Sequence, residues 1–284
     1  MVALIDADSL IYSTGFTFES KDTWNQLEIE CGLETDPEVT FSSDLQLSKN
    51  AIDAKLESIA WNTGADKLEL WLTGKGNFRY DVLSTYKGNR VDSRKPQEFS
   101  ALWEYLISEY DAQVAEGYEA DDMVVHLKNN YPDKYILCAI DKDVLYQSVG
   151  SHYNYGKDLF VEVDEDFADY FQHFQAIAGD VTDGYIGCKG VGAVGAVKAL
   201  GFPSTCQVLF KDILKKLKVA KKTLDLLPEI EAIEIDSRYK AVVDVFESKG
   251  FSEADALVQE QMASMKQLQS SDSKGFYIEL YKNS

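Results

Sequence analysis

Three short apolar runs separated by helical patterns constrain this chain most. Residues 2–5 (VALI), 67–72 (KLELWL) and 135–140 (YILCAI) each read as a strand. Between them apolar residues recur at helical spacing, which predicts helices from Asp44 to Trp61, from Pro96 through Ser108 and from Glu119 to Asn129. A further strand is expected from Ala112 to Ala115, whereas residues 19–43 are polar and mixed and read as loop. Strands alternating with helices point to a parallel α/β sheet. After about residue 176 the strand signals fade. Residues 205–268 read as mainly helical, with Pro228 as a breaker and FYIELY as a strand-like tail. The expected division is an α/β part over 1–175 and a helical part over 176–284.

In open α/β sheets, ligands bind at the carboxyl ends of the strands. Acidic residues gather there. Asp6 and Asp8 follow VALI, Asp141 and Asp143 follow YILCAI, and Glu119, Asp121 and Asp122 open a helix after the Ala112–Ala115 strand. Asp180 and Asp183 make a fourth group, within GDVTDG. Singly, each has a bland reading as a turn former or a helix-dipole partner. Together they are harder to dismiss, because crowded carboxylates raise one another's pKa unless positive charge sits between them. Hard divalent cations supply that charge, and two such ions hydrolyse phosphoryl groups.

The net charge of −20 opposes nucleic-acid binding when taken as a whole. Positive charge is nevertheless local. Lys75, Arg79, Lys87, Arg90, Arg94 and Lys95 lie in one glycine-bearing connection, interleaved with Phe78, Tyr80 and Tyr86, which reads as a nucleic-acid contact with rings that stack on bases. A second basic run, KDILKKLKVAKK (211–222), reads as a solvated helix face. Behind Asp183, GCKGVGAVGAVKAL reads as a glycine hairpin feeding a helix. The amides around Gly190 and Gly192 can meet phosphate oxygens there, or the glycines can serve a tight helix connection.

Other classes are disfavoured. Hydrophobic content of 45% and charged content of 27% are those of a folded soluble protein. No run has the length of a membrane span, and MVALIDADSL meets acid too early for a signal peptide, so no membrane partner and a cytoplasmic location are expected. Cys31, Cys138, Cys188 and Cys206 form no CxxC pair and are expected as reduced thiols. The 3 histidines argue against His-based metal or acid–base chemistry.

LIDAD, YKGNR (86–90), EGYEADD (116–122), DKD (141–143) and GDVTDGYIGCKGVG (179–192) occur in the order seen in the flap-endonuclease family of 5′→3′ nucleases. The GDxTDGY form and the length resemble its bacteriophage 5′→3′ exonuclease branch. The resemblance runs from about residue 2 to residue 201. It implies a PIN-like parallel sheet flanked by helices, with a helix–glycine hairpin–helix motif in the helical part. The implied activity is metal-dependent hydrolysis at 5′ ends or 5′ flaps of duplex DNA, and of RNA–DNA hybrids, by a monomer serving phage DNA replication or degradation. The cytoplasm is then that of the host.

The resemblance also implies site residues. Asp6, Glu119, Asp121 and Asp122 would form one metal group; Asp141, Asp143, Asp180 and Asp183 the other. Two Mg²⁺ ions are implied, with Mn²⁺ as a substitute. Lys87 and Arg90 would act beside Asp6 at the scissile phosphate. Residues from about 77 to 110 would arch over a single strand, carrying Lys75, Arg79, Arg94 and Lys95 as DNA contacts at or near it. Lys189, Gly190, Gly192 and Lys198 would hold the duplex, with K⁺ at the hairpin. Two departures stand out. Thr73-Gly74 occupies the place of an acid usual in the family, which leaves one metal ligand missing. Val194 and Gly195 stand where a basic residue is usual, with Lys189 or Lys198 as substitutes. A haloacid-dehalogenase-type phosphatase, or a structure-specific DNA-binding protein with impaired catalysis, are the alternative readings.

Overall fold

A computed structural model describes residues 1–24, 38–90, 93–271 and 275–281. In β1 (Val2–Asp6), Ala3, Leu4 and Ile5 are fully inaccessible, as expected for a strand covered on both faces of a parallel sheet. The chain passes through the helix Asp8–Thr17 into an antiparallel ribbon of β2 (Glu19–Trp24) and β3 (Glu38–Ser43). Strands stand at both ends of the loop expected over 19–43, and its residues 25–37 lie outside the described residues. The ribbon is a separate two-stranded sheet, and its polar sequences, ESKDTW and EVTFSS, carried no hydrophobic periodicity to signal it.

Asp44 caps the next helix, Leu45–Thr63, by accepting the Leu47 N–H, and Gly64 ends it at φ +63°. The chain returns through β4 (Lys67–Thr73), parallel to β1, and later through β5 (Gln113–Ala115) at the sheet edge. It then crosses to the other side of β1 with β6 (Tyr135–Cys138) and β7 (Gly150–Asn154), and closes with antiparallel β8 (Leu159–Val163). The order is β5-β4-β1-β6-β7-β8. The direction of winding therefore reverses between β1 and β6, and the carboxyl ends of these strands frame a crevice.

One face of the sheet is covered by the helices Asp8–Thr17, Leu45–Thr63 and Phe99–Tyr110 through Leu10, Ile11, Ile52, Leu56 and Leu102. Leu102 and Leu106 are fully buried, so residues 99–110 are a crossover helix and not part of an arch. On the other face, the helices Ala120–Asn130 and Glu165–Ala178 pack with Phe210, Val242 and Met262 from later helices. The boundary expected after residue 175 falls inside Glu165–Ala178, and one apolar core runs across it. The tail pairs as a hairpin of β9 (Leu268–Ser271) and β10 (Gly275–Ile278), tied to His126 through the Leu268 carbonyl. Cys138, Cys188 and Cys206 are free thiols, and Cys31 lies outside the described residues. Among the described residues no helix is long and apolar enough to cross a membrane.

Candidate active site

Asp6 ends β1, and Asp8 opens the helix that follows. Glu119 caps the helix Ala120–Asn130, and Asp121 sits in its first turn. Asp6, Asp8, Glu119, Asp121 and Asp141 line a cavity of about 660 Å³ together with Lys87, Arg90 and Lys95. Asp141, Asp143, Asp180 and Asp183 line a second cavity of about 280 Å³. Asp141 forms part of both walls.

Asp122 is brought to a different place. Its carboxylate accepts bonds from Arg79 Nη1 and Nη2 at 2.7 and 2.6 Å and lies fully buried behind the helix terminus. It also accepts the Glu119 N–H in a capping box. With both oxygens so committed and turned from the cavity, Asp122 does not belong with the metal ligands expected from sequence. Arg79 is corrected with it. Only 2% exposed, and bonded also to the Ser264 carbonyl, it is not a DNA contact. Tyr86, expected to stack on bases, is buried and donates its hydroxyl to Glu119.

Of the remaining expected DNA contacts, Lys75 is exposed and Lys95 lines the first cavity with its ammonium 4.0 Å from the Phe99 ring centre. Arg94 pairs with Glu19 and lies over the Phe41 ring, anchoring the β2–β3 ribbon instead of facing the cavity. Lys189, Gly190, Gly192 and Lys198 are exposed. Gly190 and Gly192 adopt φ of +84° and +60° with open space where a side chain would stand, and the helix Gly192–Leu200 has no side-chain cap. Gly179 and Gly187 serve another purpose: their backbones approach so closely that a Cβ on either would lie 2.4 Å from its neighbour.

The motifs YKGNR and GDVTDG form one unit. Lys87, at φ +49°, donates its N–H to the Asp183 carbonyl at 2.9 Å. Asn89 donates to the Val181 carbonyl, and Arg90 to the Thr182 carbonyl and, at 2.7 Å, to Asp183 Oδ1. This docking places Lys87 Nζ on Glu119 and 3.9 Å from Asp183.

Asp8 is the acid that sequence reasoning left unassigned. Its oxygens accept the Thr73 N–H at 3.2 and 3.3 Å, beside Gly74 at the end of β4. A Cβ on Gly74 would lie 2.6 Å from the Ala115 carbonyl oxygen and 2.7 Å from Glu116 and Val114 side-chain atoms. A side chain is therefore shut out at residue 74, while a carboxylate from Asp8 stands at the adjoining backbone. The i, i+2 spacing of Asp6 and Asp8 was the available signal.

The electrostatics show crowding that the chain's own cations offset only in part. Burial, with the Asp8 and Asp141 charges, pushes Asp6 up to about 8. Burial and the charges of Asp6, Glu119 and Asp141 hold Asp121 well above the usual carboxylate range. Burial also raises Asp8, and raises Asp143 to about 7 although Lys142 opposes the shift. Burial works against Asp180 and Glu119 as well, but Lys142 keeps the first below its ordinary value, and Lys87 with Arg79 the second. As the side chains stand, no three carboxylates among the described residues converge tightly enough to enclose an ion. The chain's own ammonium groups stand between them: Lys142 Nζ bridges Asp143 at 2.6 Å and Asp180 at 2.8 Å. The oxygen-only donor set, its raised proton affinities and these resident cations fit hard divalent ions.

No protein-family model matches the chain. The 5′-3′ exonuclease of Bacillus subtilis (strain 168) is 26% identical over 163 residues, 50% of this chain and 54% of that protein. The chain thus spans about half the length of the curated relative it matches. A crystal structure of a bacteriophage T5 flap endonuclease variant, in a pseudo-enzyme–product complex with DNA and metal ions, aligns with a TM-score of 0.50 and 17% identity over 93% of this chain and 94% of that one. The fold is therefore that of the flap endonucleases, as the motifs implied. A T5 5′-exonuclease structure with zinc bound aligns at a TM-score of 0.47 and 20% identity, over 93% of this chain and 97% of that one.

Proposed function

We infer that this chain, which has the flap-endonuclease fold, is a metal-dependent 5′ nuclease of that family, cutting phosphodiester bonds at 5′ ends or flaps of duplex DNA. The observation that carries this reading is the pair of carboxylate groups sharing Asp141, with Lys87 and Arg90 docked between Glu119 and Asp183. The phosphatase alternative does not account for that docking. The relative's exonuclease activity and the DNA and metal ions of the T5 complex point the same way.

Asp6, Asp8, Glu119, Asp121 and Asp141 are the residues to hold one ion, and Asp141, Asp143, Asp180 and Asp183 the other. Mg²⁺ is the proposed ion and Mn²⁺ its substitute. Bound there, the pair supplies Lewis-acid charge on the phosphoryl oxygens and an activated water. The protein's own part is positioning and charge. Lys87 exchanges its contact with Glu119 for a non-bridging oxygen of the scissile phosphate and offsets charge that grows in the transition state. Arg90 stays on Asp183 and fixes the approach. Tyr80, half-exposed, and Lys95 line the mouth where unpaired bases pass. Gly190 and Gly192 offer amides to the duplex backbone, with K⁺ at their carbonyls, and Lys189 and Lys198 flank them. RNA–DNA hybrids, a monomeric state and action on phage DNA in the host cytoplasm belong to the same proposal.

Cleavage of 5′-labelled duplex and 5′-flap DNA tests it, with Mg²⁺, with EDTA, and with Asp143→Ala and Asp183→Ala. Metal-dependent release of short 5′ products, lost in both variants, supports the reading. Intact DNA under every divalent ion overturns it.

A further inference from the structure

Two lysines outside the carboxylate chemistry face the second cavity. Lys157 comes from the turn joining β7 to β8, and Lys216 from the last turn of the helix Gln207–Lys216. Both are exposed, and among the described residues neither is held in an ion pair: Asp143 and Asp180 take Lys142, and Asp212, whose charge reaches both lysines, takes Lys215. The two groups line one cavity wall, where burial together with the Lys157 and Lys142 charges makes the Lys216 ammonium easier to deprotonate although Asp212 opposes the shift. Two like charges brought into one cavity from separate elements repel, Asp212 offsets part of that, and a phosphate between them would offset more.

The helix is not free to turn them apart. Phe210, Ile213 and Leu214 are buried, which fixes its rotation. Successive residues on a helix point about 100° apart. Lys216 is thereby aimed at the carboxylates, while Lys215 joins Lys211 and Lys221 around a separate cavity of about 390 Å³. Lys157 and Lys216 thus line the second carboxylate group, whereas Lys87, Arg90 and Lys95 line the first cavity.

We propose that Lys157 and Lys216 form a phosphate subsite that takes a backbone phosphate of the DNA strand beside the second carboxylate group. The proposal rests on the nuclease reading above, and assigns to part of the second basic run a contact where sequence favoured a solvated face.

The test is equilibrium binding of a fluorescein-labelled 5′-flap duplex, with Ca²⁺ replacing Mg²⁺, over a range of salt. The Lys157→Ala/Lys216→Ala variant is compared with wild type, with the charge-keeping Lys157→Arg/Lys216→Arg variant, and with Lys55→Ala/Lys67→Ala. The last removes the same charge from the exposed face of Leu45–Thr63 and the amino end of β4. Two lost phosphate contacts should make the slope of log affinity against log salt shallower by about 1.8, at ~0.9 per contact. Affinity at low salt should fall about tenfold. The arginine variant should keep the wild-type slope, and so should Lys55→Ala/Lys67→Ala. An unchanged slope in the subsite variant, or an equal change in the Lys55/Lys67 variant, overturns the subsite and leaves the nuclease reading intact. Wild type that fails to bind the duplex overturns both.

Discussion

Thr73 donates its backbone N–H to the carboxylate of Asp8, which places an acid where the end of β4 has none of its own. Asp8→Asn should weaken Mn²⁺ binding by about tenfold or more, since one anionic oxygen ligand is replaced by a neutral amide. Mn²⁺ titration followed by electron paramagnetic resonance measures this without any turnover. Gly74→Asp in that background should not restore affinity. It should also unfold at lower temperature, because its Cβ would meet the Ala115 carbonyl oxygen at 2.6 Å.

The raised carboxylates set a pH dependence with a definite sign. Asp6 binds its proton up to about 8 in the folded, metal-free chain, against 3.8 in a free carboxyl. Between those values the native state holds the extra proton, so stability falls as pH rises through that window. Asp143, raised to about 7, acts in the same direction. Thermal unfolding in EDTA should therefore show a lower Tm at pH 8 than at pH 6 from these groups, and saturating Mg²⁺ should reverse the trend. Metal binding near pH 6 should release protons, read by calorimetry in buffers of different ionisation enthalpy.

Arg79→Ala should cost about 3–5 kcal/mol of stability, because it leaves Asp122 as an unpaired buried charge. Chemical denaturation measures the loss. Under conditions where the variant stays folded, DNA affinity should be little changed. A large loss of DNA affinity with normal stability would return Arg79 to the DNA-contact role read from sequence.

Lys87→Ala should slow cleavage about 10²–10³-fold while flap binding in Ca²⁺ changes little, as for a group that acts on transition-state charge. Single-turnover rates separate the two effects.

Cleavage at subsaturating DNA should fall steeply between low and physiological ionic strength, because local lysines must hold the strand against a net charge of −20. Initial rates against KCl concentration check it, and a flat profile would refute it.

The strand ends were legible because burial leaves a trace in composition. VALI and YILCAI are apolar runs, and the acids that end them follow directly. Side-chain partnership left no such trace. Asp122 looks like its neighbours Glu119 and Asp121 in sequence, and only Arg79, 43 residues away, sets it apart. Asp8 was visible beside Asp6, but its closeness to Thr73 depends on how β1 and β4 pair. β7 and β8 escaped notice because GSHYN and LFVEV form an antiparallel edge ribbon with mixed exposure. Lys157 and Lys216 meet only through tertiary packing, which helical periodicity does not encode.

The docking of Arg90 on Thr182 spans 92 residues. Every strand of the main sheet precedes residue 164, yet Arg90 and the Lys87 backbone N–H have no partner until the 180–184 turn has been synthesised, although Glu119 is already there for the Lys87 ammonium. A nascent chain with its sheet complete would still lack the turn that fixes Arg90 and the Lys87 backbone. On the nuclease reading, the proposed site is thus completed only by residues that follow its scaffold in the chain.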